Sequence, residues 1–592
     1  MTTVDSELGF DPDELRAKYA HERDKRLRLR PEGAAQYRQI EGSLAHFLDD
    51  PYTPRTEREP VTDHVEVAIL GGGFGGLLVG SRLRTAGVED LRIVEAGGGF
   101  GGVWYWNRYP GAACDTEAYI YLPLLEETGY IPTEKYVKAP EILEHVNRIA
   151  DKFDLHRNAL LHTRVTDVAY DEGAALWTVR TDRGDTFTAR YVVMTVGAMV
   201  KPKLPGLAGI EKFRGHTFHT TRWDYAYTGG SSKGGMTGLN DKRVGIIGTG
   251  STGIQAVPHL GRDSGHLFVF QRTPSAVNVR NNRPTDPEWA ASLQPGWQRE
   301  RMDNFGTFVA GGAAETDLVN DGWTALYRLR SVNNGVLDEI DDFRKMEEIR
   351  ARVSDTVSDP ATAEALKPWF RALCKRPCFH DEYLETFNRP TVTLVDTEGR
   401  GVDEVTENGV VVAGVEYELD CLIFASGFSV AAPFRSRLGY DVTGRDGLLL
   451  SEKNKGGMST LYGMQSHGFP NFFIVAVNQV GGSSNFAHIL DVQSRHIADL
   501  VAEARRRGSR TIEAEKQAED AWVDVVVESS QADLEFQRSC TPGWMNNEGQ
   551  PNVIARRNGQ YGPGIVAFDR LIEGWRADGE YRGVVFSDAG TS

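Results

Sequence analysis

His64-Val-Glu-Val-Ala-Ile-Leu-Gly-Gly-Gly-Phe-Gly-Gly-Leu-Leu-Val-Gly-Ser-Arg-Leu-Arg84 decides the fold. The apolar run ending at Leu70 has strand length, Gly71–Gly76 interrupts it, and the residues from Leu77 read as a helix. Leu91-Arg-Ile-Val-Glu95 supplies the next strand, so the segment is a βαβ unit. In such a unit Gly71 permits the tight turn, Gly73 lets backbone approach a pyrophosphate, and Gly76 lets helix pack on strand, with the helix N-terminus facing the anion. Glu95 closes the second strand about 20 residues on, where a carboxylate accepts hydrogen bonds from ribose hydroxyls. This selects a dinucleotide whose adenosine ribose is unphosphorylated, FAD or NAD.

The cadence returns at Arg243-Val-Gly-Ile-Ile-Gly-Thr-Gly-Ser-Thr-Gly253, followed by a helix from Ile254 and the strand Leu267-Phe-Val-Phe270. Here Gly248, Gly250 and Gly253 take the three glycine roles. The second strand ends in Gln271-Arg272-Thr273 with no acid, and an arginine there suits a 2′-phosphate, so NADP(H) is favoured over NAD(H). One dinucleotide of each kind implies electron transfer from NADPH to a flavin.

The expected fold is therefore α/β, with two Rossmann-like dinucleotide-binding domains (FAD and NADP), a helical insertion in the NADP domain and an N-terminal helical extension. The pattern divides the chain into an extension (1–60), a first FAD-binding part (61–205) and a first NADP-binding part (206–284). A polar helical insertion (285–370), a second NADP-binding part (371–395), and a second FAD-binding part with a C-terminal extension (396–592) follow. In the N-terminal extension Asp11 is the expected helix cap with Pro12 at the first helical position. The helix carries the basic run Arg23–Arg30, stops before Pro31, and is read as a solvated helix packed on an acidic body.

The 66 Lys and Arg against 83 Asp and Glu leave a net charge of −17, which argues against a nucleic-acid partner. Glycine, at 64 of 592 residues, is about 11% against a usual 7% or so, and it clusters between Gly71 and Gly102. Five cysteines over this length make no disulfide framework, and reduced thiols are expected. No apolar run is long enough to span a membrane, and the acidic start Met-Thr-Thr-Val-Asp-Ser-Glu is no secretory signal. A cytoplasmic protein without a membrane partner, monomeric or weakly homo-oligomeric, is expected.

A reduced flavin needs an electron acceptor. Disulfide reductases of this plan need Cys-x-x-Cys, whereas Cys374 and Cys378 are spaced Cys-x-x-x-Cys. No metal-ligand motif is present, and no metal is expected. Elimination leaves O2, hence an oxygenase or an oxidase.

Phe213-Arg-Gly-His-Thr-Phe-His219-Thr-Thr-Arg-Trp223-Asp224 carries F-x-G-x-x-x-H-x-x-x-W-(P/D), just ahead of the second nucleotide unit. In this the chain resembles the type I Baeyer–Villiger monooxygenases. The resemblance covers about 65–592 and includes Gly102-Val-Trp-Tyr-Trp-Asn-Arg-Tyr-Pro-Gly111, Cys114-Asp115, Cys374-Lys-Arg-Pro377, Tyr383 and Phe387-Asn-Arg-Pro390. The long N-terminal arm and extended tail look like the subgroup acting on large rings and polycyclic or terpenoid ketones. Val103, Ser426 and Ala476-Val-Asn478 depart from the usual pattern near the expected pocket, which bears on the substrate more than on the reaction.

The resemblance implies FAD and NADPH as cofactors and a small-molecule ketone and O2 as partners. The chemistry it implies is that NADPH reduces FAD, O2 adds at flavin C4a, the deprotonated peroxide attacks the ketone carbonyl, and the resulting tetrahedral adduct rearranges to an ester or lactone. It implies Arg376 as the catalytic arginine and Asp115 as the carboxylate positioning it. It further implies Trp104, Tyr121 and Val165 as flavin contacts beside Gly71, Gly73, Gly76, Glu95 and Asp115. For NADP it implies Thr249, Gly250, Ser251, Thr252, Gly253, Gln255, Arg272, Thr273 and Lys375, with Trp544 on a loop closing over the coenzyme. His219 and Trp223 receive a structural, domain-linking role. An N- or S-oxygenating flavin monooxygenase and a non-catalytic NADPH-sensing flavoprotein are the alternative readings.

Overall fold

The computed structural model describes residues 8–29, 37–199, 201–329, 338–430, 433–530, 533–551 and 554–587. Its two main sheets grow outward from the two glycine turns, which are near copies of each other. Strand His64–Leu70 runs into Gly71 at φ 117°, and Gly73, at φ −79° and ψ −169°, caps helix Phe74–Thr85. Strand Arg243–Ile247 runs into Gly248 at φ 118°, and Gly250, at φ −77° and ψ −171°, caps helix Ser251–Asp263. The φ of Gly71 and Gly248 strains any L side chain, so only glycine turns the chain there without cost.

The first sheet orders its strands Val442–Thr443, Val165–Asp171, Leu176–Thr181, Thr186–Met194, His64–Leu70 and Leu91–Val94, with Phe472–Ile474 also paired to Thr186–Met194. His64–Leu70 runs parallel to both its neighbours, Val165–Asp171, Leu176–Thr181 and Thr186–Met194 form an antiparallel meander, and Val442–Thr443 joins its edge in parallel. The second sheet is parallel throughout: Val392–Asp396, His266–Gln271, Arg243–Ile247, Cys421–Phe424, His216–His219. Leu91–Val94 and Cys421–Phe424 are buried at every position, as strands covered on both faces must be.

One boundary moves. The sequence division returns the chain to the flavin unit at 396, yet Cys421–Phe424 lies inside the second sheet, between Arg243–Ile247 and His216–His219. A short all-apolar strand fits either parallel sheet, and nothing in Cys-Leu-Ile-Phe specifies which.

Residues 285–370 carry helices Pro287–Ser292, Trp297–Val309, Gly322–Tyr327, Glu339–Thr356 and Pro360–Leu366. Asp11 accepts from the Asp13 N–H at 2.8 Å and caps helix Pro12–Arg28. That helix does not stand off in solvent. Leu15 and Tyr19 bury against Phe343 of the insertion, and Arg26 Nε donates to Thr273 Oγ1 at 3.0 Å. The end of the basic run at Arg30, with Pro31, lies outside the described residues.

Helix Phe486–Arg507 packs on Phe74–Thr85 and closes the flavin unit. Cys374 and Cys540 form a disulfide, Cα atoms 5.1 Å apart across 166 residues of sequence, which corrects the expectation of five reduced cysteines. Their spacing in sequence held no sign of it, because the fold alone brings them together. Among the described residues no helix is long and apolar enough to cross a membrane.

Candidate functional site

The flavin-side glycines are packed backbone against backbone. Gly101 N–H donates to Gly72 O at 2.8 Å, and a Cβ on Gly102 would lie 2.9 Å from the Gly73 Cα. A Cβ on Gly76 would meet Gly71 O at 1.9 Å, and one on Gly253 would meet Gly248 O at 2.2 Å. The helices after both turns have no side-chain cap. Other helices, such as Ala139–Lys152 and Trp297–Val309, also lack a side-chain cap, but these two open directly from a Gly-x-Gly-x-x-Gly turn. Their first-turn N–H groups have no side-chain acceptor beside that turn, the arrangement that a pyrophosphate satisfies, so the residues fit two dinucleotides.

Glu95, the expected ribose acceptor, is fixed at the end of the first unit's second strand. Its Oε2 accepts from Gly72 N–H at 2.6 Å and its Oε1 from Gly97 N–H at 2.7 Å. Burial pushes this carboxyl up, and the two N–H donors oppose the shift. Glu95 O accepts from Thr163 N–H at 2.9 Å, and Val165 opens its strand two residues later. Trp104 Nε1 donates to Tyr121 Oη at 2.9 Å, so these two expected flavin contacts brace each other.

Arg376 and Asp115 meet as a fork. Nη1 donates to Oδ2 at 2.6 Å and Nη2 to Oδ1 at 2.7 Å, joining residues 261 apart in sequence. Ser251 Oγ, at the start of the second-unit helix, lies 3.4 Å from Nη1. The pair therefore sits where the two nucleotide units meet. Asp115 is 5% exposed and the Arg376 side chain 39%, so the carboxylate is enclosed while the guanidinium keeps an open face. Burial works to raise the Asp115 carboxyl, but Arg376, helped by Arg280, holds it below the usual carboxylate range. Burial likewise works to lower Arg376, and Asp115 overcomes it and pushes the guanidinium up. Both groups are charged at neutral pH.

Trp323, from the insertion, was not anticipated from the sequence. Its Nε1 donates to the Asp115 backbone O at 3.0 Å, and the Arg376 guanidinium lies 5.6 Å over its ring. Lys135 pins the preceding loop by donating to Val319 O at 2.6 Å, and Tyr136 Oη donates at 3.0 Å to Asp321, the cap of the Trp323 helix. No motif marks Trp323 in the chain.

Gln255, expected against NADP, accepts from Tyr109 Oη at 2.7 Å and donates to Ala113 O at 2.9 Å. One helical turn beyond Ser251, it faces the flavin unit and ties the Asp115 loop to the second-unit helix.

The remaining NADP candidates gather beyond the second glycine turn. Thr249 Oγ1 donates to Thr273 O at 3.0 Å, and Thr252 lies beside the Tyr109 hydroxyl. Arg272 Nη2 is 3.7 Å from Glu548 of the C-terminal segment. Lys375 Nζ donates to Pro542 O at 3.0 Å, two residues before the exposed Trp544. Burial, reinforced by Arg272, brings the Lys375 ammonium down to about 7. His219 and Trp223 are fully buried and locally bonded, His219 Nδ1 accepting from Thr221 N–H and Trp223 Nε1 donating to Thr228 Oγ1 at 3.1 Å.

A family model described as pyridine nucleotide-disulphide oxidoreductase matches residues 68–301. Pentalenolactone D synthase of Streptomyces arenae is 51% identical over 592 residues, covering 97% of this chain and 100% of that protein. Baeyer-Villiger monooxygenase ATR8 of Stachybotrys chlorohalonatus is 48% identical, covering 98% and 95% respectively. The solved polycyclic ketone monooxygenase of the fungus Thermothelomyces thermophila is 38% identical with a TM-score of 0.91, covering 97% of this chain and 99% of that one.

Proposed function

The chain belongs to the Baeyer–Villiger monooxygenases, and from that membership we propose how its own residues divide the work. It is an FAD- and NADPH-dependent flavoprotein that oxygenates a ketone to an ester or lactone. We place Arg376 and Asp115 at the reacting ketone, and the observation that carries this is their forked pair at the junction of the two nucleotide units. FAD, reduced by NADPH, supplies the activation of O2. Arg376 stabilises the negative charge that develops on the ketone oxygen, and as a guanidinium it stays cationic in a partly dry site. Asp115 fixes the fork and balances its charge, so the cation is oriented before substrate arrives. The relatives named for pentalenolactone and for polycyclic ketones support a bulky cyclic or polycyclic ketone. Cytoplasmic placement and a monomer or weak homo-oligomer complete the proposal.

The test is a panel of monocyclic, macrocyclic and polycyclic ketones with NADPH and labelled O2. Label in the ring oxygen of a lactone is expected. Label found only in hydrogen peroxide, with every ketone recovered, overturns the reading.

Trp323→Phe removes one hydrogen bond to the Asp115 backbone, about 1 kcal/mol of positioning. Turnover is expected to fall about fivefold with flavin content intact. Unchanged turnover counts against a positioning role.

We assign Arg272 and Lys375 to the coenzyme 2′-phosphate, which gives a pH dependence of known sign. A phosphate binds the ammonium form of Lys375, which is half populated near pH 7 in the free protein and fully populated only well below it. Above that pH binding must first protonate it, against nearby Arg272 and Arg26 and with help from Glu548. Lys203, brought down to about 8 mainly by burial, extends the slope. The Kd for NADP+ is therefore expected to rise by up to about tenfold per pH unit from pH 7.5 to 9. Lys375→Arg, whose charge persists, is expected to remove the part of the slope that begins near pH 7 and to leave the shallower part that Lys203 supplies near pH 8. A flat wild-type profile sinks the assignment of Lys375.

A further inference from the structure

The phosphate subsite is built around an anion of the protein itself. The Glu548 carboxylate lies 3.7 Å from Arg272 Nη2 and accepts from Tyr37 Oη at 3.0 Å, and its side chain is only 12% exposed. Lys375 and Lys203 act electrostatically on the same carboxylate, with the Lys203 ammonium 3.7 Å over the Tyr37 ring. An arginine at 3.7 Å, a tyrosine hydroxyl at 3.0 Å and two lysines acting through space on one oxyanion make an environment that a phosphate monoester also suits.

The segment presenting Glu548 is firmly built. Asn546, 3% exposed, accepts from Gly543 N–H at 2.9 Å and Gly549 N–H at 3.1 Å, and donates to Gln537 O at 3.1 Å. Cys540 is disulfide-bonded to Cys374, two residues from Arg376, and Pro542 O accepts from Lys375. Asn547, Glu548 and Gly549 have successive φ values of 48°, 56° and 87°. Glutamate is disfavoured in that left-handed region, so the turn holds it there against its own preference.

We propose that Glu548 is a displaceable placeholder for the coenzyme 2′-phosphate, one that lowers affinity for NADPH and thereby sets its margin over NADH. The proposal rests on the assignment of that subsite to Arg272 and Lys375. A phosphate carrying nearly two charges outcompetes one carboxylate for the same donors, whereas NADH brings nothing to the subsite and leaves Glu548 seated. If Glu548 is seated in about nine molecules of ten, apparent phosphate affinity is reduced about tenfold.

The FAD-loaded enzyme is titrated calorimetrically with adenosine 2′,5′-bisphosphate, and with adenosine 5′-phosphate as the control lacking the 2′-phosphate. Glu548→Gln is expected to tighten the bisphosphate about tenfold and leave the monophosphate unchanged, with Glu548→Ala as a second variant should the amide disturb the turn. Arg272→Ala is expected to weaken the bisphosphate at least tenfold in the wild-type and Glu548→Gln backgrounds. Equal or weaker bisphosphate binding by both Glu548 variants, with the Arg272 effect intact, overturns the placeholder and leaves the subsite standing. Equal tightening of both ligands overturns it too, as a general loosening of the segment. No effect of Arg272→Ala removes the subsite assignment itself.

Discussion

Arg376→Ala is expected to abolish lactone formation, by about a thousandfold or more, while the enzyme still binds FAD and NADPH still bleaches the flavin absorbance. The charge it removes is the one we assign to the ketone oxygen, and the solvent that would replace it is a poorer stabiliser in a partly enclosed site. The flavin contacts we assign do not need Arg376: the Gly71–Gly76 turn, Glu95 and the Trp104–Tyr121 pair are built without it. One complication is stability. Asp115, 5% exposed, loses the partner of its fork, and orphaning a buried charge is costly. The double variant Arg376→Ala/Asp115→Ala separates the effects, because it is expected to recover melting temperature without recovering activity. Arg376→Lys keeps a charge but cannot form the fork, and is expected to fall between. Product chromatography beside stopped-flow absorbance reads both halves. Lactone made at near wild-type rate by the alanine variant sinks the catalytic assignment.

What was legible in the chain was whatever sits at fixed offsets from a glycine turn. Gly71, Gly73, Gly76 and Glu95 belong to one local unit, and so do Gly248, Gly250, Gly253 and Arg272, so each set is spelled within about 30 residues. Arg376 and Asp115 came through resemblance, since no local rule pairs residues 261 apart. The residues that no rule reached act across units. Trp323 comes from a helical insertion with no motif, and its meaning is a single bond to a backbone oxygen. Glu548 stands in a turn near the end of the chain, and only the fold sets it against Arg272 and Tyr37. Gln255, which the resemblance gives to the coenzyme, also bonds across to the Asp115 loop, a link that its place in the chain does not announce. The Cys374–Cys540 pair is illegible for the same reason, because long-range proximity leaves no trace in spacing.

Gly250→Ala is expected to bind NADP+ about a hundredfold more weakly while the fold and the flavin are untouched. At this position the backbone is ordinary, φ −77°, and a Cβ would meet nothing within 4 Å. Alanine is a somewhat poorer helix N-cap than glycine, but it also restricts the unfolded chain, and these small terms oppose each other. Nothing inside the protein therefore explains a glycine here. What explains it is a ligand approaching where the methyl would stand, at the uncapped first turn of helix Ser251–Asp263. Gly253 has the opposite profile. A Cβ there lies 2.2 Å from Gly248 O, so Gly253→Ala must displace the turn and is expected to lower melting temperature together with coenzyme binding. The pair thus separates a glycine required by the fold from one required by the ligand, and a hundredfold loss corresponds to about 2.8 kcal/mol of coenzyme binding. Fluorescence titration with NADP+ and thermal melts followed by flavin release measure both quantities. If Gly250→Ala binds NADP+ as tightly as the wild type, the pyrophosphate does not pass this turn, and the second fingerprint loses its assignment.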